Sequence, residues 1–140
     1  MLVYTHPECL LKDNGLNHPE RKERLNSITK SIQSIKNFKV NFKDAPLANL
    51  QSISLVHPKH HIKKIFSNIP KIGLIGVEKE PYADTMLCPN SKKAILRSCG
   101  AGIAAADDLM NNNERIFCAI RPPGHHAERE KAMGFCFVNN

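Results

Sequence analysis

IFCAIRPPGHHAEREKAMGFCF, residues 116–137, runs a wholly apolar stretch straight into a stiffened loop with two adjacent histidines. Ile116 to Ile120 has the pattern of a strand buried on both faces. The stretch before it, Ser91 to Met110, is rich in Ala and Leu and reads as a long helix, capped by Asn90 or Ser91 just after Pro89 and ended by Asn111-Asn112-Asn113. A helix followed by a buried strand predicts an α/β layered fold with a parallel sheet. Ligands in such sheets bind beyond the carboxyl ends of the strands, which is where this loop emerges.

Pro122 and Pro123 fix φ at successive positions, and Gly124 permits a sharp turn or a close backbone approach. A rigid loop suits catalysis, because a misplacement of about 1 Å can lower a rate on the order of a hundredfold. His125 and His126 then have the chemistry for a divided task, one imidazole as proton acceptor and its neighbour tuned by another group. From the residues alone, a proton-transfer pair and a merely polar loop are equal readings.

Working outward, Leu2 to Tyr4 is a short strand, followed by a polar loop from Thr5 to about Pro19. Leu25, Ile28, Ile32 and Ile35 recur at helical spacing, so a helix is expected from Glu20, with Glu20 and Glu23 in its first turn complementing the dipole. Val40 to Phe42 and Ser54 to Val56 read as extended pieces. Pro58 suits the first turn of a helix through Ile62, Ile65 and Phe66, and Ile69 to Pro81 reads mostly as loop. Gly100 and Gly102 each cost roughly 1 kcal/mol inside a helix, which points to close packing against a neighbour.

At 140 residues the chain allows one ordinary domain. No run of 18 apolar residues occurs, so no membrane span is expected, and MLVYTHPECLL lacks the features of a signal peptide. Cys9, Cys88, Cys99, Cys118 and Cys136 are widely spaced with no CxxC pair, which fits reduced thiols in a cytoplasmic protein. The net charge of +7 is skewed: Arg24 to Val77 holds nine Lys or Arg against one acid, Asp44. With no RNA-binding signature or aromatic interleaving, the skew reads as a solvated basic face rather than a nucleic-acid surface. VHPKHH, residues 56–61, places His57 as a helix cap and His57, His60 and His61 as solvated side chains rather than a metal site. Cys136 reads as a small buried hydrophobe.

RPPGHHA followed by MGFCF resembles the signature of the zinc-dependent histone deacetylase family, specifically its bacterial and class II-like members, which include acetylpolyamine and acetoin-utilisation relatives. THPECLLKDNGLNHPERKERL (Thr5 to Leu25) is similar to that family's opening loop and first helix. ADTMLCPNSKKAILRSCGAGIAAADDL (Ala83 to Leu109) is similar to its Asp-Thr loop and glycine-containing helix. The resemblance implies the N-terminal part of an arginase/deacetylase-type three-layer α/β fold with a parallel sheet. It implies that His126 is the general base and His125 its partner in supporting the charge that develops. By the same resemblance Gly134 and Phe135 line the tunnel for the acyl-lysine stem, and Asp84 holds the substrate's backbone amide at the rim. Arg24, six residues after His18, matches an arginine of the internal cavity, while His6 and His18 sit in the opening loop, which in the family shapes the rim rather than binding zinc. Lys22 stands where the family usually has a proline.

The implied reaction is zinc-dependent hydrolysis of N-acetyl-lysine or acetylpolyamine amides, with an acetylated protein or a small acetyl-amide as substrate. The family's zinc ligands, two aspartates and a histidine, and its tyrosine belong to motifs downstream of Asn140. Residues 1–140 are therefore expected to be a truncated domain that lacks the zinc-ligand segments, contributes no metal ligand and is inactive alone. A parallel sheet of only a few strands should also leave an open edge. An inactive remnant, a binding module using the basic face, and one half of a split enzyme completed by a second chain are the other readings.

Overall fold

The computed structural model describes residues 1–79, 84–112 and 115–140. Its centre is β1 (Leu2–Thr5), whose Leu2, Val3 and Tyr4 are all buried. β1 pairs in parallel with β2 (Asn41–Asp44) on one side and β5 (Ile116–Cys118) on the other, giving the order β2-β1-β5. The registers run Leu2 opposite Asn41 and Leu2 opposite Ile116.

Parallel neighbours need long crossovers, and two helices supply them. α1 (Lys22–Gln33) lies between β1 and β2 in sequence, and α4 (Ser91–Asn112) precedes β5. Because side chains alternate along a strand, Val3 packs with Leu25 of α1, whereas Leu2 and Tyr4 pack with Ala101 of α4. The result is three layers, helix, sheet and helix, the α/β fold expected. A second core gathers Ile53, Ile62, Ile65, Leu87, Ile95 and Phe137 beneath α2 (Leu50–Ile53), α3 (Lys59–Ser67) and a short antiparallel pair. That pair joins β3 (Ile75–Gly76), within the stretch Ile69 to Pro81 expected to be mostly loop, to β4 (Met86–Leu87).

Several local expectations are corrected. α1 begins at Lys22 with Arg21 as N-cap. Glu20 lies outside the helix because its carboxylate is buried against the Arg121 guanidinium, which needs a counter-charge more than the helix dipole does. Ile28 and Ile35 are exposed, so only part of the apolar face of α1 is covered. Ser54 to Val56 is not extended: the Asn49 side chain accepts from the Ser52 N–H at 2.7 Å, nucleating α2, and Ser54 caps its end. Pro58, not His57, is the N-cap of α3. β5 is an edge strand rather than one buried on both faces, and Phe117 on it is 42% exposed. α4 runs to Asn112, and Pro81, Ala83 and Asn113 lie outside the described residues.

Gly100 shows why α4 carries a glycine at this point. A Cβ there would come 1.9 Å from the Pro46 carbonyl oxygen and 2.9 Å from the Ala48 nitrogen. At Gly102 the nearest heavy atom is 3.8 Å away, so no close approach explains that glycine.

Candidate functional site

The histidine loop leaves the carboxyl end of β5 and is pinned at once by Arg121. Its guanidinium is buried and holds both Glu20 carboxylate oxygens, and it also donates to the carbonyls of Cys9 at 3.0 Å and Lys12 at 2.9 Å. Asn14 donates to the same Glu20 carboxylate and accepts from Lys12. Burial pushes the Lys12 ammonium down to about 8, opposed by the nearby Glu20 charge. The opening loop, the start of α1 and the histidine loop thus share one polar anchor. The Arg121–Pro122 peptide is cis, and the Pro122 carbonyl accepts from the Ser98 hydroxyl of α4 at 2.7 Å.

A turn closes next, with the Ala127 N–H donating to the Gly124 carbonyl at 3.0 Å. His125 and His126 occupy its two central positions and are exposed, their rings edge to face with centroids 4.3 Å apart. His126 is backed from behind. Its N–H points at Cys136 Sγ at 3.5 Å, and a Cβ on Gly134 would meet its ring carbons at 2.9 Å.

Met133 and Cys136 exchange backbone hydrogen bonds of 3.1 and 3.0 Å across a second tight turn. Gly134 and Phe135 sit at its centre with φ of 57° and 68°. Two successive positive φ values define a primed turn, which glycine adopts freely and phenylalanine does not. Phe135 is therefore held in a strained conformation that presents its ring. Its N–H donates to Thr85 Oγ1 at 3.0 Å, and that hydroxyl donates onward to the Asp84 carboxylate at 3.2 Å. His18 packs edge-on to the Phe135 ring, centroids 4.5 Å apart. Because His18 Nδ1 accepts from the Glu20 N–H, its Nε2 carries the proton that faces the Asp84 carbonyl at 3.4 Å.

The structure thus brings His125, His126, Gly134, Phe135 and Asp84 into one neighbourhood, linked by His18 of the opening loop and by Thr85, which sequence reading did not assign a role. Arg24 is exposed on α1, where it lines a cleft of about 160 Å³ with Ile28, Phe117 and Pro123. A larger cavity of about 700 Å³ lies under the opening loop, bordered by Lys12, His18, Leu74, Pro89 and Arg121, and neither His125 nor His126 lines it.

The expectation for His57 and His61 is wrong: both are fully buried and stacked, centroids 4.9 Å apart, and only His60 is solvated. Their spacing of four residues was the available signal. What it lacked was any local mark of a buried partner, because the groups they bond lie beyond residue 128.

Among the described residues, no three His, Cys, Asp or Glu side chains are gathered to hold a metal ion. These residues do not fit a zinc site, so no chemical step is routed through one. The five cysteines are free, and no described helix is long and apolar enough to cross a membrane.

A family profile described as Histone deacetylase domain matches residues 18–140. A probable deacetylase of Archaeoglobus fulgidus is 29% identical over 142 residues, covering 99% of this chain and 38% of the relative. The crystal structure of the HDA15 HD domain superposes with a TM-score of 0.86 at 25% identity, over 99% of this chain and 40% of that one. The acetylpolyamine aminohydrolase from Burkholderia pseudomallei shares the fold, with a TM-score of 0.76 at 21% identity, over 100% of this chain and 50% of that one. The chain spans less than half the length of curated relatives it matches, 45% and 38% of two of them.

Proposed function

The chain belongs to the histone deacetylase domain family, and on that premise we propose that it supplies the proton-transfer face of an acetyl-amide hydrolase. The substrate class is an N-acetyl-lysine protein or a small acetyl-amide such as an acetylpolyamine. One observation carries the reading: the exposed His125–His126 pair stands on a turn braced by Arg121 and Gly134, beside the presented ring of Phe135.

In this mechanism His126 takes the proton of the attacking water and returns it to the departing amine. His125 donates a hydrogen bond to the oxygen on which negative charge develops. The Phe135 ring lies along the aliphatic stem of the acylated side chain, where an apolar wall costs little to desolvate. Asp84 accepts from the substrate's backbone amide, its carboxylate oriented by the Thr85 hydroxyl. We assign the family's zinc to ligands in motifs downstream of Asn140, whether in one continuous domain or in a second chain. A cytoplasmic setting is consistent with five free thiols.

The test joins residues 1–140 to the remaining segments of the archaeal relative and follows a fluorogenic acetyl-lysine substrate with zinc supplied. His126→Ala should lower turnover by on the order of 10²–10⁴-fold. His60→Ala, at an exposed surface contact with Glu130, should leave it unchanged. Full-rate hydrolysis without His126 would reduce the histidine pair to a structural loop.

A further inference from the structure

His57, just before the Pro58 cap, and His61, in the first turn of α3, lie four residues apart, and every hydrogen bond given for their rings reaches the segment that follows the histidine loop. His57 Nδ1 meets the Arg129 carbonyl at 2.9 Å, and its Nε2 accepts from the Asn139 N–H at 2.8 Å. Only the neutral ring protonated on Nδ1 can do both. His61 Nε2 meets the Phe137 carbonyl at 2.9 Å and must carry the proton there, which leaves Nδ1 buried with no partner among the described residues. A buried imidazole nitrogen without a partner costs free energy, so this pair is not the cheapest way to fill the space. The Arg129 guanidinium returns to the Val56 carbonyl at 3.4 Å, stitching the same two elements from the other side.

The three backbone groups clamped in this way, at 129, 137 and 139, bracket the turn that holds Gly134 and Phe135 and backs His126. We propose that His57 and His61 are positioning residues for the candidate site: as a neutral stacked pair they fix the 129–139 backbone, and through it the Phe135 wall and the support behind His126. The clamp itself stands on geometry. Only its consequence for turnover rests on the hydrolase reading.

Burial pushes the His57 imidazole below its ordinary range, opposed by its hydrogen bond to the Arg129 carbonyl and reinforced by the Arg129 guanidinium charge. The groups facing it are His61 from α3 and Arg129 and Asn139 from the clamped segment, with the exposed His60–Glu130 pair, 3.3 Å apart, alongside. A histidine whose folded value is lowered contributes stability that is fully present above about 6.5 and is lost as the pH falls from there toward the lowered value. Protonating Nε2 would set two donors face to face at Asn139 and release the segment.

Hydrogen exchange of the 140-residue chain tests this directly. His57→Phe and His61→Leu keep the volume and remove the bonds, so exchange in residues 133–139 should rise about tenfold or more while β1 changes much less. His57→Gln retains an acceptor for Asn139 and His61→Gln a donor for Phe137, so each should restore most of the protection. In the parent chain, protection of 133–139 corrected for intrinsic exchange should fall below about pH 6.5, and in His57→Gln it should not. In the joined, zinc-supplied hydrolase, kcat/KM should drop about tenfold or more in His57→Phe and recover in His57→Gln. Equal loss of protection across β1 and 133–139, or no loss in either, would overturn the proposal. A parent protein that exchanges as described yet hydrolyses nothing would instead sink the hydrolase reading and leave the clamp standing.

Discussion

Gly134 is where backbone conformation and site geometry meet. Its φ is +57°, and any Cβ would press on the His126 ring at 2.9 Å. Alanine therefore suffers twice, from the left-handed conformation and from the contact. Gly134→Ala should destabilise the chain by about 1–3 kcal/mol in urea titrations. It should also lower the turnover of the joined hydrolase at least about tenfold, because the His126 ring has to move. A variant with parent stability and parent turnover would show that Gly134 does not set the position of His126. Phe135 bears related strain at φ +68° with no glycine to relieve it, which argues that the ring's placement is worth more to the molecule than a relaxed turn. Arg121 is the counterpart among charges: all its donors are met within a buried network, so removing it would strand the Glu20 carboxylate.

At the scale of elements, α4 offers a paired experiment on two glycines two residues apart. Gly100→Ala would drive a methyl group into the Pro46–Ala48 backbone, which cannot swing aside as a side chain can, and should destabilise by about 1–3 kcal/mol. Gly102→Ala meets nothing closer than 3.8 Å and should stabilise by up to about 1 kcal/mol through helix propensity. Equal effects in denaturant melts would contradict the packing argument. The sequence treated these two glycines alike, and that is instructive about what local reading reaches. Strand β1, helix α4 and the loop after Ile120 were legible because each is written in contiguous residues: an apolar run, a helical period, a cluster of prolines and glycine. The catalytic candidates were legible because their spacing resembles a known family. The Glu20–Arg121 pair was not, since its partners are 101 residues apart and no local pattern marks a buried carboxylate. His57 and His61 were misread for the same reason, their partners lying 72 to 82 residues away. Ser54 to Val56 does not read as the end of a helix because the capping asparagine that starts it, Asn49, lies five residues ahead of Ser54.

Across the whole molecule, the three-stranded sheet covers its central strand and leaves both neighbours at an edge. β1 is buried on each face, whereas β2 is exposed throughout and β5 shows Phe117 to solvent. Beside β5, the exposed Ile28 of α1 and Phe117 line the same cleft as Arg24, so an open strand edge lies next to an apolar patch. Open edges template pairing with other chains, and a contiguous apolar patch adds a driving force that is not specific to one partner. The 140-residue chain should therefore self-associate as its concentration rises, with a broad rather than sharp thermal transition. Phe117→Lys places a charge on the exposed face of the edge strand, and it should shift the distribution toward monomer in sedimentation velocity while leaving the helical content by circular dichroism unchanged. The same substitution separates two causes. If association persists in Phe117→Lys but disappears when an exposed residue of β2 such as Phe42 is made Lys, the opposite edge is the sticky one. A chain that stays monomeric at every concentration, with a sharp two-state melt, would mean that this sheet is complete with three strands.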